Sequence, residues 1–578
     1  MKTTLATLWI SVSSGARWVL PLLMVSPALA QPKPPTLERF FPAGGPIGEA
    51  VEISAEGSFE RWPVEVWVDR PGLDVSAGEE KGTLLIKVAD DAIPGRYLIR
   101  LHDSGGATSL RSFFVGTLPE VVEVEPNDNP KAPQVLDQPG VVLNGRLSRN
   151  GDVDGYSIPL KAGQTLVAAL EAHGGLGSPM DGVLQVVTSE GFVLAQEDDS
   201  PGLDPLLIFE VPADGDYIVR TFAFPETPTS TIGFAGGDAF VYRLTLTTDG
   251  YVDYAHPSAL SGEETTEVDL IGWNIPESAR RLTLLSEGDA ESEQVWAFHP
   301  EVANGVSVPR LEHPALAEEA VSGPIARPIT ISGRIDQDDP VDSFAFEAKE
   351  GETIVFQVEA RGLGSPLDPL LRVSDASGQS LAEQDDNRRD LDPSLSFKAL
   401  AEGTYFVSIR DLHDRGGPRF FYRLTAREPV PDFALSTSAD HFELIPGKPL
   451  EITVAVDRPG NFGEPIEIHI EGLPEEVSAQ PATSEPKGDS SKQVKLVLES
   501  AELTFGGPIR IVGRGGDVER TLKNLWLTVV TASEVEPAED DRQGRREGVT
   551  GDGSCSAIGD RFYWTVSIPE DKVQRTEE

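Results

Sequence analysis

LNGRLSRNGDVDGYSIPLKAGQTL at residues 143–166 returns at 331–354 as ISGRIDQDDPVDSFAFEAKEGETI, with a constant offset of 188. Within each copy, VDGYSIPL or VDSFAFEA places Tyr156, Ile158 and Leu160, or Phe344 and Phe346, on one face by period two. The next apolar run, AGQTLVAAL or EGETIVFQV, starts after a glycine turn. Two such faces bury each other only when two sheets close face to face, so each copy predicts a β-sandwich. The match continues through GLGSPMDGVLQV at 175–186 and GLGSPLDPLLRV at 362–373, then through Tyr242-Arg243-Leu244 and Tyr422-Arg423-Leu424. A unit of about 100 to 130 residues is therefore repeated.

Outward from the repeats, short Val, Ile, Leu and Phe runs alternate with polar residues and stop at Gly, Pro, Asp or Asn, as in TLLIKV at 83–88 and PLEITVAVDR at 449–458. Helical spacing is almost absent. The reading is all-β, with tandem β-sandwich domains in which two jelly-roll-like repeats at 119–248 and 321–428 are flanked by immunoglobulin-like modules at 31–118 and 429–531. A small β module occupies 249–320, and an acidic, polar tail with one strand, RFYWTVSI, occupies 532–578. That strand either completes the preceding domain or docks elsewhere.

The 578 residues carry 94 Asp and Glu against 48 Lys and Arg, a formal net charge of −46. Such a chain repels nucleic acid and anionic membrane surfaces and suits divalent cations or basic partners. Residues 1–30 have Lys2 and Arg17 before a short apolar run and end Ala28-Leu29-Ala30, which reads as a secretory signal cleaved before Gln31. That run is too short to span a bilayer, and no later stretch reaches the required length, so no transmembrane segment is expected. The single cysteine, Cys555, can form no internal disulfide, so the expected secreted or cell-envelope protein depends on core burial and metal.

Just before the first repeat, VEVEPNDNP at 122–130 sets Glu123 and Glu125 on one face, followed by Asn127 and Asp128 at a turn. The loop NGDVDGY at 150–156 adds Asp152 and Asp154. Calcium takes six to eight oxygen ligands in forgiving geometry, so a site pooling Glu123, Glu125, Asn127, Asp128, Asp152 and Asp154 suits it. Alternatively, Pro126 and Asn127 form an Asx turn among solvated acids. The second repeat has VSGPIARPIT at 321–330 in place of the acidic run and keeps Asp338, Asp339 and Asp342, so half the site is expected to be missing there. Both copies also share Asp181/Asp368, Asp204/Asp392 and Ser178/Ser365, read as turn caps or a second cation site.

VEVEPNDNP with the 143–166 segment and DYIVR, and again the 331–354 segment with TYFVSIRD, resemble the bacterial pre-peptidase C-terminal (PPC) family. These are compact β-sandwiches attached to secreted peptidases and also found in large nonpeptidase proteins. The modular layout resembles large exported proteins of planctomycete-type bacteria. In related collagen-binding modules an acidic segment before the sandwich and a loop within it hold calcium, which implies the same six positions here.

No H-E-x-x-H, G-x-S-x-G or Walker-type loop occurs. LHDSGG at 101–106 superficially resembles a serine-protease nucleophile segment, but it follows a strand in a domain of about 80 residues and reads as a hairpin turn. The expected function is a non-catalytic, exported adhesion or interaction protein that binds matrix, envelope polymer or another secreted protein. The alternative is a secreted hydrolase, peptidase or glycan hydrolase, or an accessory subunit of one.

Overall fold

The computed structural model describes residues 33–530, apart from 199–201, 227–232, 263–264, 286–293, 388–390 and 501–504, together with a separate strand pair, Cys555–Ala557 with Phe562–Trp564. The signal segment 1–30 and the rest of the tail lie outside the described residues. The tail differs from its one-strand reading. A lone strand leaves its backbone groups unpaired, and here Cys555–Ala557 supplies an antiparallel partner.

Between 33 and 530 the period-two runs form five two-sheet sandwiches. In the first repeat one sheet runs, in spatial order, Glu120–Val122, Val141–Arg146, Val241–Thr247, Thr165–Glu171, Leu206–Glu210. The second repeat repeats that order with Ala315–Ala317, Ile329–Arg334, Phe421–Arg427, Thr353–Glu359, Ser394–Lys398. The facing sheets agree in four strands, Asp154–Leu160, Gly215–Pro225, Met180–Val187, Val193–Glu197 corresponding to Asp342–Ala348, Gly403–Asp411, Pro369–Asp375, Ser380–Gln384, and the first repeat adds the short edge strand Gln134–Val135. Alternation puts Tyr156, Ile158 and Leu160 into one core and Phe344 and Phe346 into the other. Tyr217 and Tyr405 are buried rings as well, each donating its hydroxyl to a carbonyl four residues back, Ala213 at 2.8 Å and Ala401 at 2.7 Å.

The second repeat begins earlier than residue 321. Ala315–Ala317 pairs in parallel with Ile329–Arg334, as Glu120–Val122 pairs with Val141–Arg146, so residues 315–320 belong to this sandwich and not to the small module. Backbone pairing sets the boundary here, and a three-residue strand carries too little hydrophobic pattern to mark itself in the sequence.

The N-terminal sandwich and the small module share a plan. In the first, Thr36–Phe41 pairs antiparallel with Ala50–Ser58, and Gly44–Pro46 lies parallel to Arg111–Gly116. In the second, Tyr251–His256 pairs antiparallel with Thr266–Trp273, and Leu260–Ser261 lies parallel to Val306–Leu311. Their junctions with the following repeat also correspond. The backbone N–H of Ala43 donates to Asn144 Oδ1 (3.2 Å) and that of Ser258 to Ser332 Oγ (2.9 Å), while Arg243 donates to Phe114 O (3.3 Å) and Arg423 to Ser258 O (3.1 Å). What repeats is thus a pair of sandwiches. The fifth sandwich returns to the first, where Arg100 donates to Asp440 and Trp526 packs on Trp67 and His102. Among the described residues no helix is long and apolar enough to cross a membrane.

Candidate functional site

The acidic run enters the first repeat on a strand that the sheet fixes. Parallel pairing of Glu120–Val122 with Val142–Asn144 continues as the Glu123 N–H donates to Asn144 O at 3.0 Å. Glu123 thereby lies beside Asp154, which opens the Asp154–Leu160 strand. The chain then turns, and the Asn127 N–H donates to Glu125 Oε2 at 3.0 Å. The NGDVDGY loop comes up from below: Asp152 Oδ2 accepts the N–H and hydroxyl of Ser148 at 2.6 and 2.9 Å, and Asp154 Oδ2 accepts the Tyr242 hydroxyl at 2.5 Å. Tyr242 reaches that carboxylate only because position 145 is glycine, since a Cβ there would sit 2.2 Å from the tyrosine ring.

Glu125, Asp128, Asp152 and Asp154 each offer an oxygen within 4.8 Å of the others. Oxygens on opposite sides of a calcium ion stand about 4.6–5.2 Å apart, twice its bond length, so the cluster has the right span for one ion. Asp152 and Asp154 are fully buried, and Glu125 and Asp128 form the outer rim. Glu123 Oε2, Asp128 Oδ1, Asp152 Oδ1, Asp154 Oδ1 and both amide atoms of Asn127 are buried with no hydrogen-bond partner. Buried polar atoms are rarely left so, and here they gather on the segments that carry the acids. Arg149 bridges the cluster, 2.5 Å from Asp128 and 3.3 Å from Asp152, and its side chain is 57% exposed.

Crowding shows in the acid–base chemistry. Burial pushes the Asp154 carboxyl up and the charge of Glu123 pushes it further. Burial raises Glu123 as well. Glu125 is raised by desolvation and by Asp152 and Asp128, and Asp128 by desolvation and Asp152. Carboxyls that resist ionisation this way either keep protons or take a cation. The donor set is all oxygen and irregular, which fits calcium better than magnesium's strict octahedron.

The second repeat keeps more of the arrangement than the sequence suggested. Glu318 takes the place of Glu123, accepting the Arg334 N–H at 3.1 Å, and Tyr422 donates to Asp342 at 2.7 Å across Gly333. Burial raises both carboxyls, and the neighbouring Asp342 raises Glu318 further. Asp338 and Asp339 are exposed. Among the described residues, a metal-sized acidic group forms in the first repeat alone.

Of the other shared acids, Asp204 and Asp392 cap turns. Asp204 accepts the N–H groups of His173 and Gly174 at 2.7 and 2.8 Å, and Asp392 those of Ala360, Arg361 and Gly362 at 3.0, 3.1 and 3.3 Å. Ser178 and Ser365 donate to the carbonyls of Ala239 and Arg419. Ser104 lies in the tight turn joining Gly95–Asp103 to Gly106–Ala107, where Asp103 accepts the Gly105 N–H, and the neighbouring His102 ring stacks 4.5 Å from Trp526.

The family model of the bacterial pre-peptidase C-terminal domain matches residues 340–411. Over 158 residues the chain is 26% identical to a probable subtilase-type serine protease of Deinococcus radiodurans, with 22% of this chain and 22% of that one covered. The chain thus spans about a fifth of that relative's length. Among solved structures, the pre-peptidase C-terminal domain of a Bacillus anthracis collagenase is 18% identical, with 20% of this chain and 98% of that domain covered, at a TM-score of 0.15. A protein of the Bacteroides ovatus mixed-linkage glucan utilization locus, solved with a mixed-linkage heptasaccharide, is 10% identical over 69% of this chain and 75% of its own, also at 0.15.

Proposed function

We propose that the chain is an exported, non-catalytic interaction protein whose five sandwiches present loops to matrix, envelope polymer or another secreted protein, with calcium fixing the entry of the first repeat. The observation that carries this reading is the set of buried oxygens of Glu123, Asp128, Asp152 and Asp154 that accept no hydrogen bond, placed where the linker from the N-terminal sandwich enters the first repeat. An ion there ties two chain segments together. The two central carboxylates are 0% exposed, a position for bracing structure and not for meeting substrate. The first repeat is, in this reading, a second pre-peptidase C-terminal domain, supported by a strand order shared with the matched repeat. A second reading, an accessory module of a secreted peptidase, rests on the 158-residue match to the subtilase-type protease.

The purified chain is expected to leave generic peptide and polysaccharide substrates uncut, checked by chromatography of products after prolonged incubation. Ser104→Ala is expected to change neither folding nor any trace of contaminating activity. Turnover that persists through purification and disappears with one Asp, Glu, Ser or His substitution would overturn the non-catalytic reading. A screen of immobilised polymers and secreted-protein fragments, run with calcium and with chelator, then identifies the partner.

A further inference from the structure

The two repeats carry one glutamate in different states. Glu171 and Glu359 sit opposite Arg243 and Arg423 in equivalent strand pairs. In the second repeat the two groups close on each other, Arg423 Nε donating to Glu359 at 3.0 Å. In the first repeat Arg243 turns away to Glu120 at 2.5 Å and to Phe114 O. Among the described residues no hydrogen bond or ion pair reaches the Glu171 carboxylate. The cause is one position in the entering strand: Glu120 in the first repeat is replaced by Ala315 in the second, so Arg423 has no rival carboxylate and falls back on Glu359.

The freed Glu171 faces a cleft of 570 Å³ where the first three sandwiches meet, a size usual for small-ligand sites, which run roughly 300–1,000 Å³. Trp296 enters it between two glycines: a Cβ at Gly95 would lie 3.1 Å from the indole, and one at Gly305 would lie 2.7 Å from Nε1. That indole N–H and the Nε of Arg243 are buried donors without partners. Tyr251 and Phe114 add aromatic surface. The charged groups lining the cleft are Arg96 and Arg243 against Glu171 and Asp204, two of each sign.

We propose that this cleft binds a neutral saccharide, with Glu171, Arg243 and Trp296 as its main contacts and Glu120 as a positioning residue that holds Arg243 away from Glu171. Balanced charge disfavours an ionic ligand. Unpaired donors and acceptors side by side suit hydroxyls, which serve as both, and aromatic faces suit the C–H face of a sugar ring. Burial pushes the Glu171 carboxyl up to about 7 against the pull of Arg243, as expected of a group awaiting a partner.

The assignment names a ligand class for the interaction protein proposed above and rests on that reading. Chain 31–578 is titrated by calorimetry with hexamers of glucose, mannose and N-acetylglucosamine, with hexamers of galacturonate and glucosamine as anionic and cationic arms. At least one neutral hexamer is expected to bind and to shift tryptophan fluorescence. Glu171→Gln and Glu120→Ala should each weaken it about tenfold or more, the second without touching the ligand, and Glu359→Gln should leave it unchanged. Trp296→Phe, which keeps a ring and removes the N–H, should weaken it while circular dichroism stays native. Failure of every neutral hexamer, binding by a charged hexamer alone, or full affinity in both Glu171→Gln and Glu120→Ala would overturn the proposal. Cleavage of a bound hexamer would instead sink the non-catalytic reading and leave the cleft standing.

Discussion

Calcium is expected to stabilise the first repeat by about 2.7 kcal/mol at a hundred times Kd, while the second repeat gains nothing comparable. The asymmetry follows from the outer ligands. Both repeats hold a Glu–Asp pair, at least half-buried, whose aspartate accepts a tyrosine hydroxyl, but among the described residues Glu125, Asp128 and Asp152 complete an oxygen group in the first alone. Without an ion these carboxyls oppose one another, and each pKa unit of upward shift corresponds to about 1.4 kcal/mol lost on ionisation. Asp154→Asn keeps the shape and replaces a carboxyl that ionises only against burial and the charge of Glu123, so in chelator this variant should unfold at a higher temperature than the parent. In calcium the order should reverse, because the variant has lost a ligand and the parent has gained its ion. Scanning calorimetry of the full chain under both conditions reads the crossing directly. Asp342→Asn should leave the calcium response untouched. Equal calcium binding by the two repeats, or undiminished binding by an Asp128→Ala plus Asp154→Ala double variant, would remove these residues from the site.

The sheets were legible because period two leaves a mark at every strand long enough to carry it. Tyr156, Ile158 and Leu160 declare their face within five residues, and the 188-residue offset shows that the second repeat does the same. The gathering of Glu125, Asp128, Asp152 and Asp154, four of the six residues read as donors, was legible for a related reason: acids crowd into two short segments, which no packing requirement explains. Glu318 was not. Glu123 precedes Leu143 by 20 residues and Glu318 precedes Ile331 by 13, so the second linker is seven residues shorter and the fixed offset slides past its glutamate. The shortened stretch corresponds to the turn that carries Glu125, Asn127 and Asp128, so one deletion both hid the shared carboxylate and removed the outer ligands. Glu171 was hidden differently. It has an identical counterpart in Glu359, and the two differ through which acid captures a neighbouring arginine across the sheet, a matter of position 120 against position 315. A pattern along one strand cannot show a competition between strands.

Separation of the fifth sandwich from the first is the expected result of cutting one ion pair. Arg100 lies in the Gly95–Asp103 strand with its side chain 1% exposed, donating to Thr108 O at 2.6 Å, to Asp440 Oδ2 at 3.0 Å and to Asn524 O at 2.9 Å. Asp440→Ala strands that guanidinium in the interface, at a cost of about 3 kcal/mol, the low end for a buried pair because Asp440 is 34% exposed. The linker near residues 428–432 should then become open to proteolysis while both sandwiches stay folded. The full chain should also show two unfolding steps in denaturant where the parent shows these sandwiches melting together. Replacing the pair by Arg100→Met with Asp440→Leu should restore docking, since apolar groups of similar volume avoid the desolvation penalty. The pH dependence has a definite sign. Burial pushes Asp440 up, but the bonds from His441 and Arg100 outweigh it and hold the carboxyl down at about 2. A depressed carboxyl gives its full stabilisation above its unfolded value near 4 and loses it as pH falls towards 2. Docking should therefore be flat from neutrality to about pH 4 and fail below it. Failure already well above pH 4 would instead show that a group other than Asp440 decides whether the first and fifth sandwiches stay joined.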